Sequence, residues 1–176
     1  AYLNYKKTFG GKHKLDATAG YDYMKWRYWY VTAGATGSVS DKVPIIDSGT
    51  NFTASNKDET QALISYFGRV NYNYDDRYIV SATLRADGSS KFAEGNRWGY
   101  FPAASAAWVI SEEPFWNAEK SKMNTFKFRA SYGQTGNNGI GLYDTYGAFA
   151  TSMYAGQSTL LPSAMQNSGM KWETTT

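Results

Sequence analysis

The side chains that could carry acid, base or nucleophilic chemistry are few and poorly placed for it. A nucleophilic triad needs a base, and the chain has one histidine, His13, beside a glycine turn and flanked by Lys12 and Lys14. That setting predicts a solvated turn residue. The absence of cysteine removes thiol nucleophiles, disulfides and Cys-ligated zinc together. Of the acid pairs, Asp75-Asp76 reads as a tight turn and Glu112-Glu113 as helix capping. The run from Gly136 through Asn137, Asn138, Gly139 and Ile140 to Gly141 lacks the spacing and setting of a dinucleotide loop and reads as a turn, extracellular if the chain crosses a membrane. Asn51-Phe52-Thr53 fits a glycosylation acceptor, which matters only for secretion by a eukaryote. No catalytic residue, metal ligand or cofactor site is assigned, and an enzyme is not expected.

The binding candidates are aromatic. Trp26, Tyr28 and Tyr30 recur with period two, so one strand face presents all three, suited to stacking on sugar rings or packing a partner. The alternative is that they and Trp29 form an outer aromatic girdle or pack a loop. Arg97 and Trp98 are similarly open to either reading.

Strands must position these residues. The chain holds 15 Tyr, 9 Phe and 6 Trp against seven Leu, a composition suited to sheets and not to helices. Alternation predicts about six strands. Residues 1–9 turn at Gly10-Gly11 into residues 14–30, where Leu15, Ala17, Ala19, Tyr21 and Tyr23 oppose Lys14, Asp16, Thr18 and Asp22. Residues 34–60, with Val43-Pro44 and Asp47 to Asn51, read as a long loop. A third strand sets Ala62, Ile64, Tyr66, Val70, Tyr72 and Tyr74 against Gln61, Ser65, Arg69, Asn71 and Asn73. After Asp75-Asp76 a fourth sets Tyr78, Val80, Ala82, Leu84 and Ala86 against Arg77, Ser81, Thr83, Arg85 and Asp87. A fifth carries Tyr100, Ala104, Ala106, Trp108 and Ile110, with Pro102 near its start, and a sixth carries Phe126, Phe128, Ala130 and Tyr132. Between these two, Ser111 to Pro114 reads as a helix start, predicting one or two turns over residues 115–122.

Alternation of this kind fits a soluble sandwich or a barrel in lipid. No run of 18 apolar residues exists, which excludes a spanning helix but not a barrel, and residues 1–9 lack the zones of a signal peptide. The 18 basic and 15 acidic residues are interspersed, giving net charge +3 and no nucleic-acid footprint. Three features favour lipid. Aromatic residues Tyr72, Tyr74, Tyr78, Trp108 and Phe126 gather near the short connections, as a membrane-interface girdle requires. Short connections alternate with long ones. Residues 15–23 span roughly 20 Å of height at a tilt near 45°, close to an outer-membrane apolar band. Lys25 and Arg27 continue the apolar parity, either towards outer-leaflet phosphates or where the strand has left the membrane.

The run DRYIVSATLRADGSSKF from Asp76 to Phe92 then resembles the barrel of SusC/RagA-type TonB-dependent receptors. So do NRWGYFP from Asn96, AAW at Ala106 to Trp108, ISEE from Ile110, RASYG from Arg129, TGNN from Thr135 and KWETT from Lys171. The resemblance implies an all-β fold: about six strands of an antiparallel transmembrane barrel of 22, with one short periplasmic helical turn. It implies that residues 1–176 are a fragment of the barrel domain without the plug. It further implies a Gram-negative outer-membrane location, in contact with the lipid bilayer and lipopolysaccharide, and import of oligosaccharides or peptides. The expected partners are a SusD-like lipoprotein and the TonB complex, the latter through a region outside this chain; no nucleic acid and no cofactor are expected. The alternative is a secreted β-sandwich that binds carbohydrate. A barrel enzyme would need a base that His13 is poorly placed to provide.

Overall fold

The computed structural model describes residues 1–38, 40, 42, 45–116 and 123–176. The chain is all-β, and it divides into two units: residues 1–24 with 63–176, and residues 25–62.

The first unit is built on a six-stranded antiparallel sheet in sequence order: β1 (Tyr2–Phe9), β2 (His13–Thr36), β3 (Asn51–Tyr74), β4 (Tyr78–Ser89), β5 (Trp98–Val109) and β6 (Lys127–Gly133). The halves of β2 and β3 beyond Met24 and before Leu63 belong to the second unit. Short turns fix the register. Gly10 and Gly11 both take positive φ (58° and 69°), where a Cβ would be strained, and Phe9 pairs with His13 across them. Asp75 and Asp76 also take positive φ (53° and 56°), which aspartate tolerates, and Arg77 N–H closes the turn on Tyr74 O at 3.0 Å.

The pairing aligns the alternating faces across strands. Val70, Ala82, Ala104 and Tyr132 stand on one rung, and Tyr72, Val80, Ala106 and Ala130 on another. The opposite face carries Arg69, Thr83, Ala103 and Gly133, then Asn71, Ser81, Ser105 and Ser131. One face is therefore apolar and the other polar, as the alternation predicts. Hydrogen bonds knit the polar face: Asn4 donates to Asp16 and Thr18, Ser81 to Asn71, and Arg85 to Asp87 and Ser65. Among the described residues only Phe92 and Phe101 are buried hydrophobic side chains, while Val80 and Leu84 stay about half exposed at 49% and 53%. Among the described residues the apolar rows are not packed against a second sheet, so no two-layer core of a sandwich forms there.

The small interior cluster sits on the polar side. Phe92 and Phe101 each lie 5.4 Å from Trp172, whose Nε1 donates to Arg97 O at 2.9 Å. Gly136 admits the Phe101 ring, which would sit 2.0 Å from a Cβ there. That approach corrects the reading of residues 136–141 as only a turn: Thr135–Asn137 forms β7 and pairs with β10 (Glu173–Thr175). Between them β8 (Ala148–Tyr154) and β9 (Gln157–Ala164) form a hairpin, so the tail holds four strands beyond the six expected.

Other boundaries also move. Pro102 lies within β5 opposite Leu84 and not at its start; its carbonyl accepts Gln134 N–H, so its donor-less nitrogen also faces the β6 side, beyond the last β5–β6 pair. The predicted helix over 115–122 falls largely outside the described residues, as does Val43-Pro44. Before it, Ile110–Glu112 forms a 3-10 turn with no side-chain cap.

The second unit, residues 25–62, is the remaining β2 and β3 segments with a 3-10 turn at Ile46–Ser48. Much of the predicted 34–60 loop is therefore strand: β2 runs to Thr36 and β3 begins at Asn51. Thr50 N–H to Thr36 O at 3.0 Å helps close the hairpin.

Candidate functional site

Four of the five predicted girdle residues, Tyr72, Tyr74, Tyr78 and Trp108, are brought together with Phe9, His13 and Phe128, which sequence reasoning did not assign to the girdle. Along the turn end of the first unit, Phe9 stacks on His13 at 5.3 Å, and His13 meets Tyr74 at 4.9 Å. Tyr74 stacks on Tyr78 at 6.3 Å and Tyr78 on Trp108 at 6.4 Å, with Phe128 opposite Trp108 in β6. Tyr72 joins through its hydroxyl, 2.7 Å from His13 Nδ1. His13 is thus half-buried between rings and not a solvated turn residue. Phe126 lies apart from this row, stacked on Trp116 at 5.7 Å.

Glu113 ties the row to its turns. Its carboxylate accepts from Tyr78 hydroxyl at 2.6 Å, Trp108 Nε1 at 2.9 Å and Arg77 Nη1 at 3.4 Å, and the residue is 9% exposed. The hydrogen bond from Tyr78, then that from Trp108, with the Arg77 charge in support, holds this carboxyl below the ordinary carboxylate range against the opposing effect of burial. This corrects its assignment to helix capping. Neighbouring turns interlock through Lys12–Asp75 at 3.2 Å, Lys14–Asp76 at 2.7 Å and Arg77–Asp75 at 2.9 Å.

A second aromatic row crosses the same apolar face, from Tyr21 to Tyr66 at 5.4 Å and from Tyr66 to Trp98 at 6.0 Å. It lies eight residues from the first along β2 (His13 to Tyr21) and β3 (Tyr66 to Tyr74). Eight residues are roughly 26 Å of strand, or roughly 20 Å of height at barrel tilt, with small and aliphatic side chains between. Trp98 therefore has a structural setting, and so has Arg97, which donates to Phe92 O at 3.3 Å.

Within the second unit, Trp26, Tyr28 and Tyr30 are 37%, 52% and 50% exposed. They alternate with Arg27, which forks onto Asp58, so its charge is already met within the unit. Lys57 and Glu59, ion-paired with each other, alternate with Asp58 and so share the aromatic face. No cluster of three or more metal-binding side chains forms among the described residues.

The family described as TonB dependent receptor-like, beta-barrel, matches residues 1–176. The chain belongs to the TonB-dependent receptor family. TonB-dependent receptor P3 of Formosa agariphila is 38% identical over 98% of this chain and 18% of its own length. TonB-dependent receptor SusC of Bacteroides thetaiotaomicron is 39% identical over 65% of this chain and 12% of its own. A solved structure of the RagAB peptide transporter superposes on 98% of the chain with a TM-score of 0.84 at 25% identity, using 20% of that chain. The SusC/RagA resemblance of the sequence words thus holds, and the sheet is part of a receptor barrel. The chain spans about a fifth of the length of these receptors.

Proposed function

We propose that these residues form part of the wall of an outer-membrane barrel through which the whole receptor imports a nutrient. The supporting observation is the apolar face: a sheet carrying exposed aliphatic rows between two aromatic rows, in a chain with only Phe92 and Phe101 buried among its described hydrophobic residues, calls for lipid as its cover. All 176 residues are assigned to the barrel, with any plug supplied by other parts of the receptor. Tyr72, Tyr74, Tyr78 and Trp108 serve as the periplasmic-side interface row, and Phe126, stacked apart on Trp116, serves as a further interface residue. Trp26, Tyr28 and Tyr30 serve as contacts for substrate or partner.

The cargo is an oligosaccharide or peptide, taken up with energy delivered through TonB and with a SusD-like lipoprotein at the outer surface; the receptor is a transporter and not an enzyme. The likeness to SusC and to the RagAB peptide transporter supports this. In cells lacking the receptor, restoring the gene should restore uptake of labelled oligosaccharide or peptide, and loss of TonB should abolish it. Uptake indifferent to TonB would overturn the proposal.

A further inference from the structure

On the polar face of the sheet, two arginines form no ion pair among the described residues. Arg77 pairs with Asp75 and Glu113, and Arg85 with Asp87. Arg69 in β3 donates Nε to Asn71 Oδ1 at 3.2 Å and has the Asp16 carboxylate within charge range but not in an ion pair, and Arg129 in β6 has no ion pair among the described residues. The rungs between them are short-chained. Thr83, Ala103 and Gly133 continue the rung of Arg69, Ser81, Ser105 and Ser131 fill the next, and Ala107 pairs with Arg129. The missing bulk leaves a concavity of about 310 Å³, with Arg69, Arg129, Ser81, Thr83, Ser105 and Ser131 among its lining residues.

We propose that this concavity is a carboxylate-binding site on the inner wall of the barrel, an inference that rests on the reading of the polar face as the lumen. A guanidinium presents a planar fork matched to a carboxylate, and the hydroxyls beside it can satisfy the remaining lone pairs. The carboxylate could come from the receptor's own polypeptide or from a solute.

The test is phenylglyoxal modification of the full-length receptor in detergent, followed by mass spectrometry at Arg69 and Arg129. If the receptor supplies the carboxylate, both react about tenfold slower than free arginine at low salt and recover at about 1 M salt, where screening is complete within about 3 Å. If a solute supplies it, both react freely in the purified receptor and are protected by added tri-glutamate but not by tri-glutamine. Reaction unaffected by salt and by tri-glutamate overturns the site, and so does protection that persists unchanged at high salt. A V80C variant reports separately on the barrel reading. Its thiol lies on the apolar face and should react with a lipid-borne maleimide in proteoliposomes; failure there counts against the barrel and not the carboxylate site.

Discussion

Replacing Ala82 by arginine should be among the costliest single changes in this sheet, although it neither creates a cavity nor removes a hydrogen bond. Ala82 pairs with Val70 and Ala104, four residues from Tyr78 in the lower aromatic row and four from Ala86. Four residues are about 13 Å of strand, or roughly 10 Å of height, which sets the site near the midplane of an apolar band about twice as tall. An arginine there cannot carry its charge clear of the hydrocarbon, and the cost at midplane is roughly 2–4 kcal/mol. That corresponds to roughly a 30- to 1,000-fold loss in the folding equilibrium. Thr83→Arg is the control: its side chain lies on the polar face directly across from Arg69, so the like charges cost at most about 1 kcal/mol. Urea titration of the full-length receptor refolded into lipid vesicles, followed by tryptophan fluorescence and gel shift, measures both. Equal tolerance of the two substitutions would refute the assignment of faces.

Cysteines at Asn51 and Ser90 of the intact receptor should react with an impermeant reagent on whole cells and one at Asp75 should not; the reverse pattern would invert the topology. Glu113→Gln should lower the melting temperature at neutral pH and flatten its dependence on acidity. Because the native carboxyl is held below its ordinary value, its contribution is present above that value, about 4.3, and is lost as pH falls through the depressed one; unchanged acid melting in the variant would discount the Tyr78–Trp108–Glu113 contact. Alanine at Trp26, Tyr28 and Tyr30 together should weaken uptake about tenfold or more while leaving barrel folding intact, and unchanged uptake would reduce these rings to loop packing.

The parts of the fold that sequence made legible are those where one face is apolar. From Ala62 to Tyr132 the period-two pattern assigned the faces of β3 to β6, and the pairing agrees rung by rung. Asn51 to Thr60 is strand with few apolar residues, so it carries no alternation and looked like loop; backbone pairing holds it instead. The strand at Thr135–Asn137 was hidden because Gly136, a turn signal in isolation, is there to admit the Phe101 ring. Glu113 was taken for a cap because its partners are visible only once Tyr78 is known to pair with Trp108. That Tyr74, Tyr78 and Trp108 gather in a row was legible from aromatic content near the turns. The second row was not, since joining Tyr21, Tyr66 and Trp98 requires three strands in register.

Residues 1–176 produced alone, without detergent, test most directly whether this sheet is a wall built for lipid. Strands β1 and β6 are its edges, and the rows through Val70, Ala82 and Ala104 would lie bare in water. Light scattering and thermal melting should then show aggregation, or recovery of a dispersed species only in detergent. A monodisperse soluble monomer that melts cooperatively would contradict the account and favour a water-soluble carbohydrate-binding domain.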